Sequence, residues 1–421
     1  MKIAIIGAGF TGLSASYQLT KLGHEVFVFE KEKSLGGLAG GYKKDNWDWA
    51  LDKHYHHFFT NDNFALDLAK EIGQKILILR PKTSTLINGS IYQLDSPKSL
   101  LKFPLLSFSE RLRMGLSLAF LRYNPFYKNF DKKKAAEVLP KLMGEKGFNL
   151  IWKPLFLAKF GKYSKGVSLA WFWARVKKRT TSLAYPQGGF LSFANKLKNA
   201  SEKNGAVFSL NSEVTEIGPG YLKINSVKKE NFDKIISTTP SAIFLETAQS
   251  LSEDYEKNLN TLKNISATNL LLRLKKRFLP DNTYWLNICE QESKLMAVVE
   301  HTNFIDKNFY NNEFLVYVGH YVPSDHPYLK MTKDELLKEL HPYLTKLNKN
   351  YQDNLIGIEI SKDFFAQPVI TVGYSKKIPP FKTSINNVYL ANMDQVYPWD
   401  RGVNYAIELG EKIANEVISN V

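Results

Sequence analysis

The chain has 421 residues, which is too long for one simple hydrophobic core and predicts two domains. Hydrophobic residues make up 44% of it and charged residues 23%, and these ordinary globular values exclude a disordered chain. Cys289 is the single cysteine, which excludes an intramolecular disulfide and a cysteine-rich zinc site and fits a reducing cytoplasm. The net charge of +15 suits either an anionic partner or a chain that is simply rich in scattered lysines.

The N-terminal thirty residues predict the start of a βαβ unit. Residues 2–6 form a short apolar run, 7–12 a glycine turn, 13–22 a helix with small residues, and 25–30 a second strand. The charge-free stretch 3–20 contains three glycines and several polar residues, so it is too polar for a membrane span. Gly7 likewise interrupts the apolar run too early for a signal peptide.

The turn matches the spacing G-x-G-x-x-G at Gly7, Gly9 and Gly12. In this pattern the first glycine allows the tight turn, the second lets the backbone approach a pyrophosphate, and the third permits close helix–strand packing. Glu30 ends the second strand, where a carboxylate accepts hydrogen bonds from ribose hydroxyls and disfavours a 2′-phosphate. Strand, turn, helix and acid together predict a dinucleotide site.

A second glycine pair follows the ribose carboxylate, in the stretch Ser34-Leu35-Gly36-Gly37-Leu38-Ala39-Gly40. This stretch resembles the segment that wraps the FAD pyrophosphate in the amine oxidase, protoporphyrinogen oxidase and phytoene desaturase superfamily. Leu38 stands where that family often has arginine. The resemblance implies FAD as the cofactor and an α/β fold, in which a Rossmann-like FAD-binding domain is interleaved with an α+β substrate domain and a helical subregion.

Later segments extend the resemblance over nearly the whole chain. Val214 lies where the family holds the adenine through its backbone, and the segment 389–406 resembles the family's closing strand, loop and helix. The residues that the resemblance implies as contacts of the cofactor are Gly7, Gly9, Phe10, Thr11, Gly12, Glu30, Lys31, Gly36, Gly37, Leu38, Val214, Asp394, Trp399, Gly402 and Val403. Backbone N–H groups at Gly402 and Val403 would stabilise negative charge on the flavin pyrimidine ring.

We expect a discontinuous FAD-binding domain from residues 1–80, 186–245 and 383–421. The substrate domain then takes 81–185 and 246–382, with a helical cap at about 97–180. Within the cap, residues 99–126 combine apolar side chains with arginines and nearby lysines. That pattern is typical of a buried helix pair covering a pocket, and also of an amphipathic segment lying in a membrane interface.

A narrower resemblance concerns UDP-galactopyranose mutases. The stretch 54–62, His-Tyr-His-His-Phe-Phe-Thr-Asn-Asp, places His56 where those enzymes keep a histidine against the flavin. Arg175 and Arg179 are similar to their paired arginines, one of which holds the substrate diphosphate. Phe160-Gly161 replaces their Trp-Gly, and their tyrosine pair has no clear match apart from Tyr317, Tyr321 and Tyr405.

These observations predict an FAD-dependent oxidoreductase that moves a hydride from its substrate to flavin N5, with His56, Tyr405 and Arg175 as candidate catalytic residues. The alternative is a mutase that acts on a nucleotide sugar without net redox. The substrate is accordingly lipid-like or a nucleotide sugar. We expect no metal at His54, His56 and His57, because no acidic or cysteine partner follows at ligand spacing.

We expect a cytoplasmic protein that binds no nucleic acid, since no recognition motif accompanies the positive charge. Peripheral contact with the inner face of the membrane stays open. Asp400 and Arg401 are adjacent, and one interpretation of them is a simple ion pair within a loop.

Overall fold

The computed structural model describes residues 1–419. Its strands, in chain order, are β1 (Lys2–Ile6), β2 (Glu25–Phe29), β3 (Gly41–Tyr42), β4 (Leu51–Asp52), β5 (Phe58–Phe59), β6 (Ile76–Leu79), β7 (Lys82–Ile87), β8 (Ser90–Gln93), β9 (Leu183–Pro186), β10 (Val207–Ser209), β11 (Val214–Gly218), β12 (Tyr221–Ile224), β13 (Lys228–Asn231), β14 (Lys234–Ser237), β15 (Asn264–Leu274), β16 (Thr283–Ile288), β17 (Ala297–Glu300), β18 (Phe314–Val322), β19 (Leu355–Pro368) and β20 (Val388–Leu390).

The α-helices in the same region are α1 (Phe10–Lys21), α2 (Asn63–Glu71), α3 (Pro97–Leu101), α4 (Phe108–Tyr123), α5 (Lys128–Asp131), α6 (Ala135–Met143), α7 (Glu145–Gly147), α8 (Lys153–Phe160), α9 (Leu169–Lys178), α10 (Phe190–Lys203), α11 (Ser241–Thr247), α12 (Glu253–Asn260), α13 (Lys333–Leu347) and α14 (Val403–Ser419). Among residues 1–419, none of these helices is both long and apolar enough to cross a bilayer.

A five-stranded parallel sheet in the order β10-β2-β1-β14-β20 forms the first layer. In its central strand β1 the four residues after Lys2 are buried, as expected where both faces of a parallel sheet are covered. Helices α1, α10 and α14 pack beside it, and α1 lies against both of the others. The predicted strands at 2–6 and 25–30 and the predicted C-terminal helix are confirmed.

The first helix begins at Phe10, three residues earlier than the predicted start at Leu13. Gly9 is its N-cap, with an extended backbone at φ −72° and ψ 174°. The glycine motif is thus shared between turn and helix, because Gly12 already lies in the first turn of α1.

The second large sheet has seven strands in the order β19-β15-β18-β17-β16-β7-β8. All adjacent strands in this sheet are antiparallel except β16 and β7, which are parallel. Along β15 the side chains alternate between the two faces. Leu270 and Leu272 pack towards α13 in one hydrophobic cluster, while Leu271 belongs to the cluster of the first layer and Asn269 lines a chamber between the layers. The α/β fold class is confirmed.

The helical cap runs from α3 to α9 and has its own hydrophobic core, to which Met114, Leu139 and Phe172 belong. Helix α4 packs against α6 and α9 through Met114, Ser117 and Leu121, so it is only partly a buried helix. The domain boundaries at 80, 185, 245 and 382 stay a prediction. Strand β9, which that division assigns to the substrate domain, pairs with β6 and β5 of the other domain.

Candidate functional site

The turn between β1 and α1 has a backbone that only glycine satisfies at two positions. Gly7 adopts φ +98°, in the left-handed region that favours glycine. A Cβ atom on Gly12 would lie 2.0 Å from the carbonyl oxygen of Gly7. The packing of the protein itself therefore requires both of these glycines.

Gly9 has more open surroundings than Gly7 and Gly12. A Cβ atom on Gly9 would meet only the Cα of Gly37, at 3.9 Å, and the φ angle of Gly9 is ordinary. The protein alone would thus accept alanine here, and the open space lies at the N-terminus of α1, where unpaired backbone N–H groups favour phosphate. This cradle fits a dinucleotide pyrophosphate. Phe10 and Thr11 contribute backbone at this helix start, since the Phe10 ring packs in the core against Phe193 at 5.3 Å.

Glu30 lies just after β2, and its carboxylate is held by backbone N–H groups. Oε2 accepts from Ala8 N at 2.7 Å and Oε1 accepts from Glu32 N at 2.9 Å. Each carboxylate oxygen has a further lone pair available for a ribose hydroxyl. Ser212 N donates to Glu30 O at 2.8 Å and so brings Val214, at the start of β11, to the same end of the cradle. Lys31 is exposed beside them.

The second glycine pair is held directly against the first turn. Gly36 N donates to Ala8 O at 2.9 Å, and a Cβ atom on Gly37 would approach Gly9 Cα to 3.3 Å. Both members of the pair have positive φ angles, +99° and +57°. Leu38 follows this pair and lines the chamber between the layers, at the position where the similar family often has arginine.

Asp394 is 3% exposed, and both of its carboxylate oxygens already have protein partners. Oδ2 accepts from Ser241 Oγ at 2.6 Å, and Oδ1 accepts from Asn264 Nδ2 at 3.0 Å. Burial raises the pKa of this carboxyl, and the two hydrogen bonds oppose the shift. The side chain thus joins the closing loop to β15 and α11, and its role as a cofactor contact stays a prediction.

The closing helix α14 starts at Val403, directly after Arg401 and Gly402. Ser14 Oγ donates to Ile407 O at 3.0 Å, which fixes α14 against α1. The two helices are therefore packed directly against each other. Gly402 has open surroundings, since a Cβ atom there would meet only Tyr405 Cδ2, at 4.0 Å.

A chamber of about 340 Å³ lies where these elements meet the seven-stranded sheet. It is walled by residues from the glycine pair, the histidine stretch, β15, β18, β19 and the closing loop. These are Leu38, His54, Tyr55, His56, Ala267, Asn269, His320, Tyr321, Ala366 and Arg401.

His56 is neutral in this chamber. Burial, with the nearby charge of Arg401, lowers the pKa of its imidazole to about 3. Its Nδ1 is 2.7 Å from the carbonyl oxygen of His54, which can only accept, so Nδ1 carries the hydrogen and Nε2 is an acceptor. His54 is in turn held by Asp363, whose Oδ2 is 2.6 Å from His54 Nε2.

Asp400 is the centre of a cluster of cations beside the chamber. Its Oδ2 contacts Arg175 Nη1 and lies 3.7 Å from Lys159 Nζ. Its Oδ1 accepts from Trp171 Nε1 at 2.9 Å and from Gln367 Nε2 at 3.2 Å. Burial alone would raise the pKa of this carboxyl, but the cationic charges outweigh that effect and hold it below its usual range.

Arg401 does not pair directly with Asp400, so the loop ion pair is not formed. Its Nε donates to Gln367 Oε1 at 3.1 Å, and its Nη2 donates to the hydroxyl of Tyr321. Gln367 thus bridges Arg401 and Asp400. Lys159 lies over the ring of Tyr321 at 5.1 Å, and burial lowers its pKa well below the usual value.

Trp399 and Tyr405 form a stacked pair, with ring centroids 6.0 Å apart. Lys178 Nζ lies 4.9 Å from the centroid of Trp399. The hydroxyl of Tyr405 is buried and has no hydrogen-bond partner among the described residues. Tyr317, by contrast, donates from its hydroxyl to Asp52 O at 2.6 Å within the core.

The sequence thus predicted the cradle, His56 and Arg175 as neighbours of one site, but it missed Lys159, Gln367 and the orientation of Arg401. Lys159 is one lysine among many and carries no local signal. Its partner Asp400 lies 241 residues further along the chain. Within residues 1–419, no group of three histidine, cysteine, aspartate or glutamate side chains has a geometry that could hold a metal ion.

Comparison with known proteins finds a sequence relative among the carotene desaturases and solved structures with the same fold. The chain is 33% identical over 148 residues to a zeta-carotene desaturase from Capsicum annuum, a match that covers 33% of this chain and 22% of that protein. Two solved structures superpose on nearly the whole chain. They are a reduced UDP-galactopyranose mutase (TM-score 0.78, 16% identity, 100% and 96% of the two chains) and a putrescine oxidase variant (0.76, 13%, 100% and 99%). At such identities the superpositions show a shared fold.

The model of one protein family, the flavin-containing amine oxidoreductases, matches residues 10–418. The match covers almost all of the chain, including Gly12, the second glycine pair, the residues of the chamber and the closing helix. The chain therefore belongs to the flavin-containing amine oxidoreductase family.

Proposed function

We propose that the protein oxidises a small organic substrate in the chamber beside His56, with hydride transfer from a substrate C–H bond to the flavin. When bound, FAD supplies the hydride acceptor at N5. Gly9, Gly37 and the N-terminus of α1 would hold its pyrophosphate, Glu30 its ribose, and Gly402 and Val403 the pyrimidine edge of its ring.

The observation that carries the proposal is the chamber itself. It lies between Leu38, next to the second glycine pair, and Arg401, next to the start of α14, which are the segments proposed to hold the FAD pyrophosphate and the pyrimidine edge of the flavin. Its walls combine Leu38 and two alanines with the polar groups of histidines, tyrosines, Asn269 and Arg401, which can orient a substrate.

In this proposal His56 orients the substrate and does not take its proton. An imidazole with a pKa of about 3 has little affinity for a proton, so it is a poor general base at neutral pH. Its Nε2 is instead a fixed hydrogen-bond acceptor for a substrate N–H or O–H group. Arg401 and Tyr321 line the same chamber.

The test is an anaerobic titration of the oxidised holoenzyme with putrescine, with phytoene and with UDP-galactose. We expect the visible flavin absorbance to bleach with one of the first two and without any added reductant. Turnover of UDP-galactose only after chemical reduction, with no net change in flavin oxidation, would overturn the oxidoreductase proposal.

Two variants test the part played by His56. His56→Phe keeps an aromatic ring but removes the acceptor, and we expect it to slow bleaching by about 10- to 100-fold. His56→Gln retains an acceptor and should recover part of the rate. Equal rates in wild type and His56→Phe would remove His56 from the proposal, with unchanged flavin content as the control for folding.

A second candidate function, sugar–nucleotide rearrangement without net redox, is favoured by the cation cluster. Lys159, Arg175 and Arg401 surround the single carboxylate Asp400, which leaves an excess of positive donors beside the chamber. A diphosphate suits such a set because its oxygens accept bidentate hydrogen bonds from guanidinium groups.

This candidate predicts that UDP perturbs the flavin absorbance and that Arg175→Ala weakens the effect at least about tenfold. Arg277→Ala is the matched control, since Arg277 lies over Phe314 at the start of β18, at the opposite end of that strand from Tyr321 of the chamber. If UDP leaves the spectrum of the wild-type holoenzyme unchanged, the nucleotide-sugar candidate is wrong and the oxidoreductase proposal stands unaffected.

A further inference from the structure

Helix α4 has two apolar faces, and only one of them is covered. Met114, Ser117 and Leu121 are buried against the cap. The opposite face carries Leu112, Leu116 and Phe120, which repeat every four residues and therefore form one stripe along the helix. Leu116 is 62% exposed and Phe120 52%.

The stripe continues beyond both ends of α4. Phe108 begins the helix and is 66% exposed, while Tyr123 and Phe126 at the other end are 77% and 67% exposed. Leu101 lies beside the first turn, because Arg111 donates from its guanidinium to the Leu101 carbonyl oxygen. We call this set the α4 apolar face: Leu101, Phe108, Leu112, Leu116, Phe120, Tyr123 and Phe126.

Large exposed apolar side chains elsewhere on the described surface are scattered, as is normal for a globular protein. The α4 apolar face is different because seven of them lie within 26 residues of chain. A contiguous patch of this kind marks a contact surface.

The charges around the α4 apolar face identify what covers it. Residues 98–134 contain nine lysines and arginines but only two acids. Neither acid is free: Asp131 is buried and accepts from Ser375 and Tyr397, and Glu110 caps α4. Lys98, Lys102 and Lys128 are exposed at the two ends of the stripe.

We propose that the α4 apolar face docks on the surface of a bilayer that contains anionic lipids. Aromatic and leucine side chains enter the boundary between headgroups and acyl chains, and the flanking lysines contact lipid phosphates. This inference rests on surface chemistry and is independent of the proposed reaction.

The docking surface is connected to the chamber through one helix. Arg122, near the end of α4, donates to the carbonyl oxygens of Val176 and Arg179, at 3.2 Å and 2.7 Å. Val176 lies in α9, the helix that also carries Trp171 and Arg175 beside Asp400. A protein docked in this way holds its substrate-side helix close to the lipid.

The experiment is flotation of the holoenzyme with vesicles of phosphatidylcholine, with and without phosphatidylglycerol. We expect binding to the mixed vesicles, release by high salt, and at least about tenfold weaker binding of the double variant Leu116→Glu/Phe120→Glu. Val227→Glu is the matched control, because Val227 is 85% exposed on a different surface.

Unchanged flavin content and melting temperature verify that the double variant is folded, since both replaced side chains are exposed. Three outcomes would overturn the proposal. They are no flotation of the wild type, equal flotation when phosphatidylglycerol is omitted, and equal flotation of the double variant. A wild-type dimer that the double variant converts to monomers would also overturn it, by assigning the face to a second copy of the chain.

Discussion

On the cofactor side of the chamber, Gly7, Gly9 and Gly12 lie within six residues of one another, and Ala8 and Glu30, which share a hydrogen bond, are 22 residues apart. On the substrate side, Arg175 and Asp400 are in contact although 225 residues separate them. The part of the cofactor side that holds the pyrophosphate and the ribose thus lies in one continuous segment, residues 7–37, whereas the substrate side is assembled from α8, α9, β19 and the closing loop.

This difference decides what a single sequence reveals. A turn that must bring backbone close to a phosphate restricts several consecutive residues, and that restriction is visible as spacing. A cluster of charges brought together by tertiary packing restricts no spacing. The cofactor side, the substrate side and the residues where they meet can each be tested by substitution.

The largest effect is expected on the cofactor side, from Gly9→Val. The side chain would enter the space above the N-terminus of α1, so we expect complete loss of bound FAD and of activity while the fold is retained. The measurement is the ratio of flavin to protein absorbance after purification, together with a melting curve.

The control for that variant is wild-type protein stripped of its flavin, which should melt at the same temperature as Gly9→Val. Gly12→Val should differ from both and unfold, because its Cβ would lie 2.0 Å from Gly7 O. A yellow, fully loaded Gly9→Val protein would contradict the assignment of the cradle.

The next effect concerns Asp52, at the joint between the two sides. Its carboxyl is buried and accepts from Tyr185 Oη at 2.9 Å and from Phe190 N at 3.2 Å. Burial raises its pKa to about 8, and the two hydrogen bonds oppose the shift only in part. Between about pH 4 and pH 8, Asp52 is therefore protonated in the folded state and ionised in the unfolded state.

Stability should consequently fall as pH rises through that window, by up to about 1.4 kcal/mol per pH unit, and level off above it. Urea unfolding at a series of pH values measures the slope. Asp52→Asn should flatten it, whereas Asp281→Asn, at a side chain that is 74% exposed, should leave it unchanged. An unaltered slope in Asp52→Asn would show that this carboxyl is ionised in the folded protein.

A smaller loss is expected on the substrate side, from Asp400→Asn. The substitution leaves Lys159 and Arg175 without their carboxylate, and breaking such a pair costs roughly 2 to 3 kcal/mol once the partial exposure of Arg175 is considered. The free energy of unfolding in urea is the measurement. Adding Lys159→Met should restore part of the loss, and strictly additive effects would mean that the two side chains are not coupled.

The comparison also explains how far prediction from sequence reached. The βαβ start, the strands of the parallel sheet and the closing helix follow from apolar runs and glycine punctuation, which are local signals. The start of α1 was misplaced by three residues because Gly12, taken as part of the turn, packs inside the helix. Lys159 and the bridge through Gln367 had no local signal, since their neighbours are set by tertiary packing.

Tyr405→Phe gives the smallest expected change in stability and tests where the two sides meet. The hydroxyl of Tyr405 is buried without a partner among the described residues, so its removal breaks no hydrogen bond in the protein. The free energy of unfolding of the apoprotein should stay the same or rise by up to about 1 kcal/mol. If the hydroxyl serves the bound flavin or substrate, kcat should fall about tenfold.

Tyr310→Phe supplies the opposite pattern. Its hydroxyl bonds His301 Nε2 at 2.9 Å deep in the core, so its loss should lower stability but not activity. Unchanged kcat in Tyr405→Phe would leave the stacked ring beside Trp399 as the whole contribution of this residue.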